Sequence, residues 1–121
     1  MAPIAPVDRL RDGRDIAAVL RGRRSRAGHL VVIHVRDADD ATAPARVAVV
    51  ASKKVGDAVS RNRAKRLMRE AAVRVAWKPG TDVVLVARAA CASSSLAPVH
   101  TEVVALAARL GVTRPLDPVA A

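Results

Sequence analysis

The segment SKKVGDAVSRNRAKRLMREA, residues 52–71, combines closely spaced cations with a regular apolar pattern. On a helical wheel, one arc of this segment and its continuation collects the apolar side chains of Ala64, Leu67, Met68, Ala71 and Val75. That spacing is typical of a helix that buries one face against a sheet. We therefore predict a long amphipathic helix from Gly56 to about Ala76. The sequence WKPG ends it, because Pro79 disfavours helical geometry at the residue before it.

Three segments rich in β-branched residues flank this helix. HLVVIHVR (29–36) and RVAVVAS (46–52) precede it, and TDVVLVAR (81–88) follows it. Their composition favours strands. The acidic, turn-forming sequence DADDATAPA between the first two predicts that they pair as a β-hairpin. Because the strands are almost continuously apolar, we expect helices to cover much of both faces of the sheet.

Two further helices complete the predicted fold. DGRDIAAVLRGRR (12–24) has apolar residues at helical spacing, with Asp12 or Gly13 as its cap and Gly22 at its end. A last amphipathic helix runs over residues 96–110, after the serines at 93–95. This order predicts a two-layer α/β sandwich around a small central sheet. We expect one domain, residues 1–121, with a flexible arm at about 1–7 and a flexible tail at about 114–121.

The charge of the chain indicates a polyanionic partner. Lys and Arg number 21 against 11 Asp and Glu, which gives a formal net charge of +10. Such a surplus favours nucleic acid or an acidic membrane surface. The sequence contains no apolar run of the length that spans a bilayer, so membrane binding is the weaker interpretation. Because Cys91 is the single cysteine, no internal disulfide can form, and a reducing cytoplasmic compartment fits. The sequence thus predicts a cytoplasmic nucleic-acid-binding protein.

The polar side of the long helix carries much of this charge. Arg61, Lys65 and Arg69 form a row at four-residue spacing, with Asn62 and Arg66 beside it and Arg63 on the far edge. Like charges at this spacing repel, and phosphates would remove that repulsion. Guanidinium groups suit phosphate oxygens and can also stack on bases. The alternative is a solvated helix with extended cations, and charge alone does not distinguish RNA from DNA.

No catalytic or metal site is predicted in the chain itself. His29, His34 and His100 are scattered without metal-ligand spacing, and His34 is most simply a packed or surface residue of a strand. The acidic residues at 37–40 are best explained as a solvated turn. Cys91 is expected to pack as a small hydrophobe, and Trp77 to lie in the core or at its rim.

The same segment carries a resemblance to a known family. SKKVGDAVSRNRAKRLMREA resembles the signature of the bacterial ribonuclease P protein subunit, in which Ser-Lys-Lys ends a strand and an Arg-Asn-Arg helix follows a Gly-containing turn. VDRLRDGRDIAAVLRGRRS resembles the first helix of that family and its basic turn, and WKPGTDVVLVARAA resembles its last strand. The resemblance covers most of the chain.

The resemblance implies a protein cofactor of an RNA enzyme. In that family the RNA subunit catalyses Mg²⁺-dependent removal of the 5′ leader from precursor tRNA, with Mg²⁺ held mainly by the RNA and the substrate. The implied partners are the catalytic RNA and precursor tRNA, with no membrane and no required protein partner. The fold would contain a left-handed β-α-β crossover, an exception to the usual hand.

The resemblance also implies site residues by position. The RNA-binding set would be Ser52, Lys53, Lys54, Arg61, Asn62, Arg63, Lys65, Arg66 and Arg69. A cleft for the leader would be lined by Ile16, Leu20 and Ile33, where the family commonly has aromatic residues. Two alternatives stay open on sequence alone. A ribosomal-type or RNA-chaperone protein would share the charge and fold class, whereas a self-sufficient nuclease would need an acid/base pair that is not discernible.

Overall fold

The computed structural model describes residues 7–114, which form one five-stranded sheet with three α-helices. The strands are β1 (Val7–Arg9), β2 (Ser25–Ala27), β3 (Val31–Asp37), β4 (Ala45–Val50) and β5 (Thr81–Ala87). The helices are α1 (Gly13–Arg21), α2 (Ala58–Ala72) and α3 (Leu96–Arg109), with short 3₁₀ turns at Lys53–Val55 and Ala89–Cys91. The order across the sheet is β1-β4-β5-β3-β2. The predicted α/β class is confirmed.

The predicted pairing of the first two long strands is wrong. β3 and β4 are not neighbours, because β5 lies between them, parallel to β4 and antiparallel to β3. Six of the seven residues of β5 are buried, so this strand occupies the centre of the sheet and needs a neighbour on each side. Helix α2 joins the parallel strands β4 and β5, as the predicted crossover requires. The left-handedness of this crossover stays a prediction.

The two faces of the sheet carry different helices. On one face, α2 and α3 pack on β3, β4 and β5 around a core of aliphatic side chains with Trp77. Trp77 is 1% exposed, and its indole N–H donates to the carbonyl of Ala72 at 2.8 Å. On the other face, a smaller cluster joins Val19 of α1 to Ala48 and Val84 of the sheet. We call these the α2/α3 face and the α1 face.

The edge strands and the helix end depart from the sequence predictions. β1 and β2 have three residues each and were not expected, since neither has an alternating apolar pattern. Val7, assigned to the flexible arm, begins β1 and pairs with Ala45. The remainder of that arm and the tail beyond Arg114 lie outside the described residues. Helix α2 ends at Ala72, four residues earlier than predicted. Over residues 7–114, no helix combines the length and apolarity needed to cross a bilayer.

Candidate nucleic-acid interface

The turn before α2 places Lys53 and Lys54 close to the N-terminal end of the helix. Ser52 begins the 3₁₀ turn, and its hydroxyl accepts a hydrogen bond from the backbone N–H of Lys54 at 3.3 Å. Gly56 then adopts φ +140°, a conformation that side chains disfavour. Asp57 caps α2 by accepting from the N–H of Ser60 at 2.9 Å, which lowers the pKa of Asp57. Lys53 and Lys54 are exposed on this short connection.

Helix α2 turns one side to the core and the other outward, as predicted. Its buried residues are Ala64, Leu67, Met68, Ala71 and Ala72. We define the α2 cationic face as the polar residues on the outward side of the helix, namely Arg61, Asn62, Lys65, Arg66 and Arg69. Asn62, Arg66 and Arg69 are exposed, whereas Arg61 and Lys65 are half-buried. Among residues 7–114, none of these four cations takes part in an ion pair or a side-chain hydrogen bond.

Arg63 differs from the other cations of α2. Its Nε donates to the carbonyl of Ala92 at 2.8 Å, and its Nη2 donates to the carbonyl of Ser94 at 2.9 Å. The guanidinium therefore fastens α2 to the loop that leads into α3. Two of its donors are already used inside the protein. A structural role was not visible in the sequence, because residues 63 and 92–94 are brought together only by the fold.

We expect Arg63→Ala to lower the free energy of unfolding by about 1 kcal/mol, since two charged hydrogen bonds are lost at an exposed site. Arg66→Ala, one turn away and without such bonds, is the matched control and should change stability by less than about 0.5 kcal/mol. Urea denaturation of both variants measures the difference. Equal stabilities for the two variants would show that the bonds of Arg63 contribute nothing to the fold.

The three residues predicted to line the leader cleft do not share one surface. Ile16 and Leu20 lie on α1, with Ile16 half-buried and Leu20 37% exposed. Ile33 is 0% exposed and belongs to the core of the α2/α3 face, so its assignment to the cleft is wrong. The physical reason is strand alternation, in which a shift of one residue moves a side chain to the other face. The neighbouring His34 pairs with Val84, a residue of the α1-face cluster.

His34 is the residue of β3 that sequence reasoning missed. It is half-buried on the α1 face, and its Nδ1 has no hydrogen-bond partner within the described residues. Burial lowers the pKa of His34, so the ring is neutral at pH 7. The Nδ1 atom itself is buried, so the feature that suits a nucleobase is the flat, neutral ring, which can stack. The alternation of β3 sets His34 apart from Ile33, but which of the two faces α1 is decided by the fold.

A pocket connects the α1 face to the α2 cationic face. Its volume is about 250 Å³, and it lies at the β1 side of the sheet. Ile16 of α1 and Ala48 of β4 line one part of it, and Arg69 and Val73 line another. The lining of this pocket thus includes side chains of both α1 and α2. The two predicted regions, on α1 and on α2, are therefore brought together at this edge.

A buried carboxylate anchors α1 to the sheet. Asp82 is 0% exposed and accepts from Arg46 at 2.8 Å through both carboxylate oxygens and from Arg36 at 3.2 Å. The same two arginines pair with Asp15 of α1, at 3.2 Å from Arg36 and 3.6 Å from Arg46. Hydrogen bonding to Asp82 raises the pKa of Arg46. We call these four residues the Asp82 network.

Over 7–114, no group of three or more His, Cys, Asp or Glu could hold a metal ion. Burial, with the charge of Glu102 as a second cause, raises the pKa of Cys91 to about 11, so the thiol stays protonated. Asp40 accepts hydrogen bonds from the N–H and the hydroxyl of Thr42. These bonds form a local turn in the acidic loop.

The fold and this surface define a small α/β protein whose cationic helix face is suited to a polyanion. The family model described as Ribonuclease P matches residues 5–111. The chain therefore belongs to the bacterial ribonuclease P protein family.

Individual proteins of this family are similar to the chain in sequence or in fold. The ribonuclease P protein component of Ruegeria pomeroyi is 47% identical over 83 residues, which cover 65% of this chain and 66% of that protein, just under two thirds. The protein component of Alkaliphilus oremlandii is 31% identical over 108 residues, covering 88% and 93% of the two chains. The solved Staphylococcus aureus RNase P protein shares the fold, with a TM-score of 0.73 at 20% identity over 88% of this chain and 97% of that one.

Proposed function

We propose that this protein is the protein subunit of ribonuclease P and promotes removal of the 5′ leader from precursor tRNA in the cytoplasm. In this proposal the RNA subunit carries the chemistry, and the protein binds that RNA and the leader. Mg²⁺ would be held mainly by RNA phosphates, with no ligand set required from the protein. Family membership favours this role over that of a ribosomal protein or an RNA chaperone.

The observation that carries the proposal is the α2 cationic face, whose cations form no ion pair within residues 7–114. Four cations and Asn62 share one side of a rigid helix, and the lysines of the preceding turn extend the same positive field. Each phosphate placed there would release counterions and relieve the repulsion between Arg61, Lys65 and Arg69. Asn62 adds both a donor and an acceptor for one contact to a sugar or a base edge.

The α1 face is proposed to hold the leader by apolar packing. Ile16 and Leu20 supply aliphatic contacts where the family commonly has aromatic rings, and a base stacked on an aromatic contributes about 1–3 kcal/mol. His34 supplies a ring on this face, where it pairs in register with Val84 of β5. We therefore propose that His34, in place of Ile33, completes the leader-binding surface.

Reconstitution tests the proposal directly. The purified protein is combined with the catalytic RNA from the same source, and cleavage of precursor tRNA is followed at low Mg²⁺. We expect accurate leader removal that the protein stimulates by at least about tenfold, through neutralisation of RNA charge. A ribosomal-type protein would give no such stimulation. Leader removal by the protein without RNA would contradict the assignment of catalysis to the RNA.

A further inference from the structure

Strand β1 covers only the first half of one edge of β4. Arg9, the last residue of β1, pairs with Val47, and the N–H of Leu10 donates to the carbonyl of Val47 at 3.0 Å. In a parallel pair, the N–H and C=O of one residue point to the same neighbouring strand, and alternate residues repeat that direction. The N–H and C=O of Val49 therefore face the β1 side, past the point at which β1 ends. Within residues 7–114, neither group has a backbone partner on that side.

The pocket of about 250 Å³ lies at this gap in the pairing. Val49 belongs to its lining, with Leu10 and Ala48 on the side of the α1 face and Ala72 and Val73 on the side of α2. Because side chains from both faces of the sheet reach it, the pocket opens at the edge of the sheet. We call it the β1-edge pocket. Apolar side chains thus surround a backbone donor and a backbone acceptor that the strands leave unused.

The α2 cationic face leads to this pocket. Val59, Asn62, Arg66, Arg69 and Val73 follow one another at spacings of three or four residues, so they form one line along α2. All five are exposed, including the two valines, at 77% and 38%. Arg69 and Val73, the last two residues of the line, belong to the lining of the β1-edge pocket. An RNA strand that follows the line therefore meets the pocket at its end.

The size and chemistry of the β1-edge pocket select a single nucleobase. Its volume is below the about 300–1,000 Å³ of sites for drug-sized ligands, which suits one ring system. An unstacked base has apolar faces, and its edge offers both a donor and an acceptor. Arg9 and Arg69 outnumber Asp8 in the lining and form no ion pair within residues 7–114, so a phosphate is favoured beside the base. A peptide would find only one residue of β4 to pair with, which is too few for strand addition.

We propose that the β1-edge pocket binds one unstacked nucleobase of the catalytic RNA, with the backbone of Val49 contacting the edge of the base and Arg69 its phosphate. This inference rests on the proposed function, which makes that RNA the partner of the α2 cationic face. It adds recognition of a base to a contact otherwise made through phosphates. His34, proposed above for the leader, lies on β3, which β5 separates from β4.

Nuclear magnetic resonance of the isotope-labelled full chain tests the pocket without any RNA subunit. The four nucleoside 5′-monophosphates are titrated one at a time, with inorganic phosphate as the control. We expect at least one nucleotide to shift the amide resonance of Val49 and the methyl resonances of Val73, whereas phosphate alone leaves them in place. The methyl groups of Val104, a valine of α3 with the same 38% exposure, should not move. No shift at Val49 with any nucleotide, or the same shift with phosphate, would overturn the inference.

A pocket-filling variant tests the same site in the reconstituted holoenzyme. Val73→Trp places a large side chain in the lining of the pocket, and Val104→Trp is the matched control on α3. We expect Val73→Trp to lose about tenfold in affinity for the catalytic RNA, the effect of losing one bound base, and the control to stay within about twofold. The log–log salt slope should not change, because no cation is removed. Chemical probing should show one base of the catalytic RNA that is protected by the wild type and the control but reactive with Val73→Trp.

The possible results separate this inference from the proposed function. Because Ile16 lines the pocket and also belongs to the proposed leader surface, the leader is the alternative source of the base. Protection of a leader base in place of a base of the catalytic RNA would overturn the inference. So would an unchanged affinity of Val73→Trp, or an equal loss in Val104→Trp. If the wild-type holoenzyme shows no stimulated leader removal, the proposed function itself fails. If stimulation is present but no base of the catalytic RNA depends on Val73, only the base pocket is excluded.

Discussion

Arg61→Ala/Arg66→Ala is expected to weaken association with the catalytic RNA by about 10- to 100-fold at moderate salt while the fold stays intact. Both cations belong to the α2 cationic face, and the described structure shows no internal partner for either. Each lost phosphate contact should reduce the log–log slope of affinity against salt by about 0.7–0.9, so the pair should reduce it by about 1.4–1.8. Titration of labelled catalytic RNA at several salt concentrations measures both quantities.

A charge-matched control shows whether position matters. Lys78→Ala/Arg109→Ala removes two exposed cations, one after α2 and one at the end of α3, both away from the α2 cationic face. Its affinity should stay within about threefold of the wild type, because only general charge attraction is reduced. If the two double variants lose the same affinity, binding follows net charge and the α2 cationic face is not the docking surface.

The second large effect concerns stability. Asp82→Ala should lower the free energy of unfolding by about 3 kcal/mol, because Arg36 and Arg46 would lose the buried carboxylate that pairs with both of them. Asp82 is fully buried, whereas the side chains of Arg36 and Arg46 are 32% and 36% exposed, which places the cost at the lower end for a buried pair. Urea unfolding monitored by far-UV circular dichroism provides the measurement.

The exposed pair Arg24–Asp37 provides the comparison. Asp37 is 87% exposed, so Asp37→Ala should change stability by less than about 0.5 kcal/mol. If Asp82→Ala lowers the free energy of unfolding no more than Asp37→Ala does, water replaces the lost carboxylate without an energetic penalty. Because the Asp82 network holds the first turn of α1 to the sheet, Asp82→Ala should also reduce discrimination between precursor and mature tRNA. That ratio is read from the same reconstituted assay.

The helical elements were predictable because their signals are local. The apolar arc of α2, its buried Ala64 and Met68, and its outward cations follow from a spacing of 3.6 residues. Asp12 caps α1 through the backbone N–H of Arg14, as the short-range pattern indicated. The end of α2 at Ala72 was not predictable from its apolar spacing, because Val75 continues the pattern and is buried after the helix has ended.

The strand pairing and the faces of the sheet were not predictable in the same way. A turn-forming loop joins β3 to β4, yet β5 is inserted between them because the α2 crossover returns the chain to the centre. The alternation of β3 contains too many apolar residues to show which set faces α1. Ile33 was therefore assigned to the surface that His34 occupies. β2 gave no strand signal, since all three of its residues are exposed.

For the site, the amino-acid pattern is enough to show that one side of a long helix is cationic, because helical periodicity sorts residues by their spacing alone. Which of those cations stay available depends on contacts with distant parts of the chain. Arg63 is taken up by the carbonyl groups of a loop about 30 residues further on, whereas Arg61, Lys65, Arg66 and Arg69 show no such bonds in the described chain. Burial of Asp82 likewise holds Arg36 and Arg46 in position, and these two arginines tie α1 to the sheet through Asp15. Contacts between distant segments set both outcomes, and no local pattern encodes them.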